Sequence, residues 1–279
     1  MRRRPHAAIV SAVNTLLLLG ALVGYLLVAA DGATGAGAAE AGVLVHPPLS
    51  VTSVSNDAVA STNWSGYAVQ STAAFTDVVG SWAQPAATCS MLHRTYASFW
   101  VGLDGYGSSS VEQVGTDSDC SVSGAPSYYA WWEMYPAGSV TLSTSVYPVE
   151  PGDVLTAQVS RSGNLYTLTL HDDDGGPGWT FVATEPGSGA NSSAEWVAEA
   201  PEVCNVIVCR EASLTDFGSV SFAGSTAATG GAEEPVSTFS ADGGPHEITM
   251  LSTAGLTTRA QPGPLVGGGS GFVDTWNSS

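Results

Sequence analysis

The sequence predicts an all-β protein, an antiparallel sandwich or barrel. Three observations carry that prediction. Short runs that alternate apolar and polar residues, or are rich in aromatic and β-branched residues, recur along the chain. Clusters of Gly, Ser and Pro separate them, from a pool of 33 Gly and 15 Pro. No stretch shows the three-to-four-residue apolar spacing of an amphipathic helix, and no internal repeat stands out.

The elements follow in order. Met1–His6 is basic and Ala7–Ala30 is almost uninterruptedly apolar. Residues 1–32 therefore read as a signal peptide or an uncleaved N-terminal membrane anchor. Residues 33–60 are rich in Ala, Gly, Ser and Val, lack aromatics, and read as a pro-segment or linker. The folded domain is expected over 61–279, about 220 residues, enough for one large β-domain. Asn63–Val69 alternates as a strand does, and Phe75–Pro85 follows as another. Cys89–Arg94 reads as a loop. Tyr96–Gly102 and Ser110–Thr116 read as strands around the loop Asp104–Ser109, and Ser127–Tyr135 as an aromatic-rich strand. Val140–Tyr147, Asp153–Ser160, Leu165–His171, Trp179–Thr184 and Ser193–Ala198 continue the series. Asp172–Asp174 runs into Gly-Gly-Pro and reads as a hairpin turn, with too few oxygens for a calcium cage. Ser219–Phe222, Pro235–Thr238, Glu247–Leu251 and Phe272–Trp276 complete the strands.

Charge excludes some partners. The chain has no Lys, and its formal net charge is −18. From Ser61 onward, four Arg face 22 Asp and Glu. Such a surface repels nucleic acid and anionic membranes. It also repels itself at neutral pH, a repulsion that acid relieves. Membrane contact is expected only through an uncleaved N-terminal segment, and the chain is expected to be a monomer. Four cysteines, Cys89, Cys120, Cys204 and Cys209, all fall beyond residue 60, which suits export and two disulfides. Of three connectivities, Cys204–Cys209 with Cys89–Cys120 is favoured. No CxxC pair points to a metal.

Familiar catalytic motifs are missing. There is no HExxH and no GxSxG. His6 and His46 lie ahead of the expected domain, and His93, His171 and His246 stand alone, which favours surface or turn roles. What remains is a set of carboxylates and amides among aromatics, concentrated in Phe99–Pro136 and Ser193–Glu199. A carboxylate can take a proton from water, and a neutral amide can donate to a developing oxyanion. A Glu–Gln pair is thus a sufficient minimal engine for amide hydrolysis in acid.

The motifs then fall into a recognisable order: Asn63-Trp64-Ser65-Gly66, Trp100-Val101-Gly102-Leu103-Asp104-Gly105, Gln113-Val114-Gly115-Thr116-Asp117, Ala130-Trp131-Trp132-Glu133-Met134-Tyr135-Pro136, Ala194-Glu195-Trp196-Val197-Ala198-Glu199 and Asp216-Phe217-Gly218. Together they resemble the glutamic peptidases, or eqolisins, over roughly residues 62–276. The resemblance implies a sandwich of two antiparallel sheets, a concanavalin- or lectin-like jelly roll, with the site on its concave face. It implies that Gln113 and Glu199 are the catalytic pair, with Glu195 a structural neighbour. It places Trp100, Asp104, Asp117, Trp131, Glu133 and Tyr135 around the cleft, as walls, hydrogen-bonding groups and substrate contacts. It implies protein or peptide substrates, secretion, no metal and no cofactor. Val114, Ala198 and Pro201 depart from the family pattern. Two other readings stay open: a jelly-roll glycoside hydrolase using Glu133 and Glu199 at a retaining separation of about 5–5.5 Å, and a lectin-like binding module without turnover.

Overall fold

The computed structural model describes residues 42–55, 58–173, 178–239 and 244–279. The signal peptide or anchor expected over residues 1–32, and the first part of the pro-segment or linker expected over 33–60, lie outside the described residues. A compact unit spans Gly42–Ser279, so the fold takes in residues ahead of the boundary expected at Ser61.

Strands are numbered in chain order. One sheet runs β2 (Val51–Ser55), β3 (Ala58–Ser61), β18 (His246–Leu251), β4 (Trp64–Gln70), β13 (Ser193–Glu199), β6 (Ser98–Leu103), β7 (Val111–Cys120), β8 (Pro126–Tyr135) and β9 (Val140–Thr141). All of these pairs are antiparallel except β18 with β3. The second sheet runs β12 (Thr180–Pro186), β11 (Leu165–Asp172), β10 (Val154–Ser162), β5 (Asp77–Ala83), β16 (Ser219–Ala228) and β20 (Phe272–Trp276). Strand β19 (Thr258–Pro262) pairs with both β18 and β20 and joins the layers. A separate small sheet holds β1 (Val43–Val45), β14 (Glu202–Cys204) and β15 (Cys209–Glu211).

The core lies between the two large sheets. Phe99, Val101, Leu103, Val114 and Trp196 of the first sheet meet Trp82, Leu155, Val159, Leu168 and Phe222 of the second. Polar tips find partners across the layers: Trp82 Nε1 donates to Thr116 Oγ1 at 3.0 Å and Trp196 Nε1 to the Val79 carbonyl at 2.6 Å. Trp196 also lies against Gly80, where an added Cβ would stand 2.7 Å from its ring. Trp196→Ala therefore removes a fully buried indole in a site that cannot collapse onto it. The expected loss is roughly 3–5 kcal/mol, read from denaturant unfolding; a loss below about 1 kcal/mol would contradict this packing.

Strand alternation is plain in β5, β10 and β11, where every second residue is buried. By contrast β6, β7 and β13 are buried on both faces throughout. Their inner face packs on the second sheet, and their outer face is the floor of a cleft.

Most expected strands are present, with shifted ends. Of the expected 235–238 strand only Pro235 is extended, at the end of the short β17 (Glu234–Pro235) on β16; Val236–Thr238 forms a 3-10 turn. Only Val140–Thr141 of the expected 140–147 strand pairs, because the Ser143 carbonyl accepts from the Val146 and Tyr147 N–H groups and turns the chain. The hairpin expected at 172–174 is bracketed by the β11–β12 pair His171↔Thr180, while residues 174–177 lie outside the described residues. His246 is not a surface residue but opens β18, buried, and stacks on Tyr106 at 4.6 Å. Both disulfides, Cys89–Cys120 and Cys204–Cys209, are formed.

Candidate active site

Register fixes the cleft floor. Antiparallel partners share a face, so the β4–β13–β6–β7–β8 ladders generate three rows. The first is Ala68, Glu195, Gly102, Gln113 and Glu133. The second is Gly66, Val197, Trp100, Gly115 and Trp131, and the third is Trp64, Glu199, Ser98, Asp117 and Tyr129. Two glycines make room for the tryptophans. A Cβ on Gly102 would stand 2.9 Å from the Trp100 ring, and one on Gly115 would meet the Phe99 carbonyl at 2.3 Å.

Gln113 and Glu199 thus share one face, with β6 between their strands, but they occupy different rows. No hydrogen bond joins them directly. Gln113 directly, and Glu199 only through Trp100 and Trp64, connect to a third element that the motifs leave out of the site: His46, followed by Pro47. Gln113 Nε2 donates to the His46 carbonyl at 2.7 Å and to Glu133 Oε2 at 3.2 Å. Glu199 Oε2 accepts from Trp100 Nε1 at 2.8 Å, and Trp100 packs edge-on against Trp64. Trp64 Nε1 in turn donates to the Pro47 carbonyl at 3.1 Å.

His46 is fully buried. Its ring lies flat on Trp131, centroids 3.5 Å apart and planes within 1°. Its backbone N–H donates to Glu133 Oε2 at 2.9 Å. Ring Nδ1 is 3.1 Å from the same oxygen, and ring Nε2 is 3.1 Å from Ser98 Oγ and 3.8 Å from Asp117 Oδ1. Burial alone would lower the imidazole pKa, but the hydrogen bonds and charges of Asp117 and Glu133 prevail and raise it from 6.5 to about 10. The ring is an imidazolium held by two acidic side chains over an indole face.

The carboxylates divide into two groups. Glu199 is pushed up from 4.5 to about 8, first by burial and then by Glu133, against the opposing pull of His46 and the Trp100 N–H. Glu195 is raised well above the ordinary range by burial, with repulsion from Asp104 and Glu112 added. The two share strand parity, so alternation cannot separate them; their neighbours do. Asp104 stands apart from the His46 cluster. Its carboxylate accepts the Asn191 and Ser192 N–H groups at 2.6 and 2.9 Å and anchors the approach to β13. Asp117 Oδ1 accepts from Trp131 Nε1 at 2.7 Å and so fixes the indole that His46 covers. Tyr135 is partly buried in an apolar cluster with Leu49, Tyr106 and Tyr129 at the cleft edge.

Ser98, Trp64, Asn63 and His46 complete the site. Asn63 and Trp64 lay inside a recognised motif, and Ser98 inside the expected strand Tyr96–Gly102. His46 followed no motif, and its His-Pro-Pro context was its one local signal. Among the described residues, Glu202, Cys204 and Cys209 bring possible metal-ligand atoms together, but both sulfurs are tied in a disulfide, which leaves no thiolate.

Comparison with known proteins gives the family and the fold. Residues 62–259 match the model of the peptidase A4 family. Aspergillopepsin-2 of Aspergillus niger is 32% identical over 139 residues, 48% of this chain and 47% of that protein, so the chain spans about half the length of this curated relative. Scytalido-glutamic peptidase, solved with a peptide-based transition-state analogue, superposes with a TM-score of 0.64 at 20% identity, over 77% of this chain and 98% of that one. SCP-B, described as an eqolisin in complex with the tripeptide Ala-Ile-His, gives 0.59 at 19% identity over the same shares. At that identity the two structures speak for the fold, a β-sandwich in common. The family match covers most of the chain, includes every cleft strand from β4 to β13, and contains both Gln113 and Glu199: the chain belongs to the peptidase A4 family, the glutamic peptidases or eqolisins.

Proposed function

We propose that this protein is an exported acid endopeptidase that hydrolyses peptide bonds with Glu199 as general base and Gln113 as oxyanion donor. The observation that carries the reading is the 2.7 Å hydrogen bond from Gln113 Nε2 to a peptide carbonyl lying in the cleft, that of His46. A substrate carbonyl in that position has its oxygen against a neutral donor that acid leaves unchanged.

The step balances without a covalent intermediate. Glu199 takes a proton from water as the water oxygen bonds to the carbonyl carbon. The carbonyl π pair moves onto oxygen, where the Gln113 N–H meets it. Collapse breaks the C–N bond, and the proton passes from Glu199 to the leaving nitrogen. Gln113 Oε1 and Glu199 Oε1 are both buried without a protein hydrogen-bond partner, which leaves each an acceptor site for that water. Glu133 is already committed to Gln113 and His46 through Oε2, which favours an orienting role over that of a glycosidase carboxylate.

Residues 33–60 act as a pro-segment in this reading. Of their described part, His46 and Pro47 lie against the cleft residues, while β2 and β3 belong to the sheet edge, and Glu199 is fully buried. Burial keeps the Glu199 carboxyl protonated well into the neutral range, so the base is idle until the segment leaves and water returns. Export fits the two disulfides. Among the described residues no helix is long and apolar enough to cross a membrane.

The test is casein digestion at acidic pH by the full chain after acid incubation. Digestion unaffected by EDTA or by serine-directed reagents is expected. Loss of activity with EDTA, or no digestion at any acidic pH, would overturn the reading.

A further inference from the structure

We propose that this cleft selects a flat cationic side chain, imidazolium foremost, on the residue whose carbonyl is attacked, and reads the residues before it as a strand added to β14. The proposal rests on the Gln113–Glu199 reading and adds the substrate class.

The resident segment makes the contacts that such a peptide would make. Val43, Leu44 and Val45 pair antiparallel with Cys204, Val203 and Glu202, as an added edge strand does. The next residue gives its N–H to Glu133, its ring to the Trp131 face and its carbonyl to Gln113. Beyond it, the Pro47 carbonyl is held by Trp64 Nε1 and by Asn63 Nδ2, the latter at 3.4 Å, and the Leu49 N–H donates to the Gly105 carbonyl at 3.2 Å. Backbone groups on both sides of the His46–Pro47 bond are therefore held.

The pocket itself discriminates. A ring parallel to an indole at 3.5 Å must be planar, which excludes the tetrahedral head of Lys from the same stack and admits the Arg guanidinium. Glu133 and Asp117 flank the two ring nitrogens, and both carboxylates are fully buried. An apolar side chain would take away the ring's donors and leave Glu133 with only Gln113 Nε2 and the backbone N–H, and Asp117 with only Trp131 Nε1, and an acidic one would add a third carboxylate; under-satisfied buried carboxylates are the costly case. Ser98 Oγ, 3.1 Å from the far ring nitrogen, matches the reach of an imidazole. The resident bond is itself His–Pro. Its nitrogen carries no hydrogen and is locked in a ring, which distinguishes an occupant from a substrate.

The experiment uses the full chain after acid incubation, with casein digestion run alongside. Fluorogenic peptides keep the Val43–Val45 sequence ahead of one test residue and carry Ala after it. The test residue is His, Arg, Leu or Glu. The expected kcat/KM for His exceeds that for Leu by at least about tenfold, with Arg between them and Glu lowest, and Glu133→Gln is expected to collapse the His-over-Leu ratio. Equal turnover of the His and Leu peptides, with casein digested, overturns the pocket assignment and leaves the peptidase reading intact. Failure to digest casein or any peptide overturns both.

Discussion

Glu199→Gln is expected to lower kcat for acid proteolysis by roughly 10²–10⁴-fold, the range lost when a general base is removed, with the fold retained. The substitution keeps size and shape, and the Trp100 N–H keeps an acceptor in the amide oxygen. It also removes a carboxyl that burial holds above its ordinary pKa, so thermal stability is expected to hold or rise at neutral pH. Gln113→Ala is expected to cost about 10²–10³-fold, as the loss of one oxyanion donor does. Because the two side chains act on one carbonyl, the double variant is expected to be little worse than Glu199→Gln alone. Full activity in Glu199→Gln would remove this residue from the mechanism. In that case Glu195, a second buried glutamate on β13 facing the cleft, would be the residue to test.

The second large effect concerns how the N-terminal segment holds to the cleft. His46 is raised from 6.5 to about 10 in the docked state. The docked form therefore binds the proton more tightly than the released form does. The stabilisation is fully present below about pH 6.5 and is lost as pH rises through about 10; a shift of that size corresponds to about 5 kcal/mol. Glu133, Asp117 and Ser98 face the ring, and Glu199 and Asp119 lie within charge range. The His46 imidazole in the unprocessed chain, followed by NMR, is expected to stay protonated through neutral pH and to titrate only in the alkaline range. His46→Ala is expected to release the segment across that whole range, seen as a change in tryptophan fluorescence when Trp131 loses its stacked ring. A His46 that titrates near 6.5, with no fluorescence change in the variant, would show that the segment is not held this way.

These two expectations differ in how far the sequence alone supports them. Gln113 and Glu199 are legible because each sits in a strand motif with aromatic and glycine neighbours, and those neighbours have local reasons. Gly102 and Gly115 clear space for Trp100, and Trp100 and Trp131 each spend their N–H on a cleft carboxylate. Asp104 looked equivalent to Asp117 and Glu133 in its motif. Its distinct role as the anchor for Asn191 and Ser192 depends on residues 87 and 88 positions away.

The sequence by itself determined the class of fold, the number of disulfides and the strands that carry the motifs, since two-residue alternation, turn residues and cysteine count are local properties of the chain, while the pairing of the cysteines was left to the fold. Only the tertiary structure decided what fills the cleft. The segment before residue 61 lacks aromatics and has weak strand character, and its strands exist because β14 and β18 supply the partners. His46 meets Glu133 across 87 residues. Neither residue's environment is written in its neighbours, because a buried charge is decided by which partner the fold delivers to it.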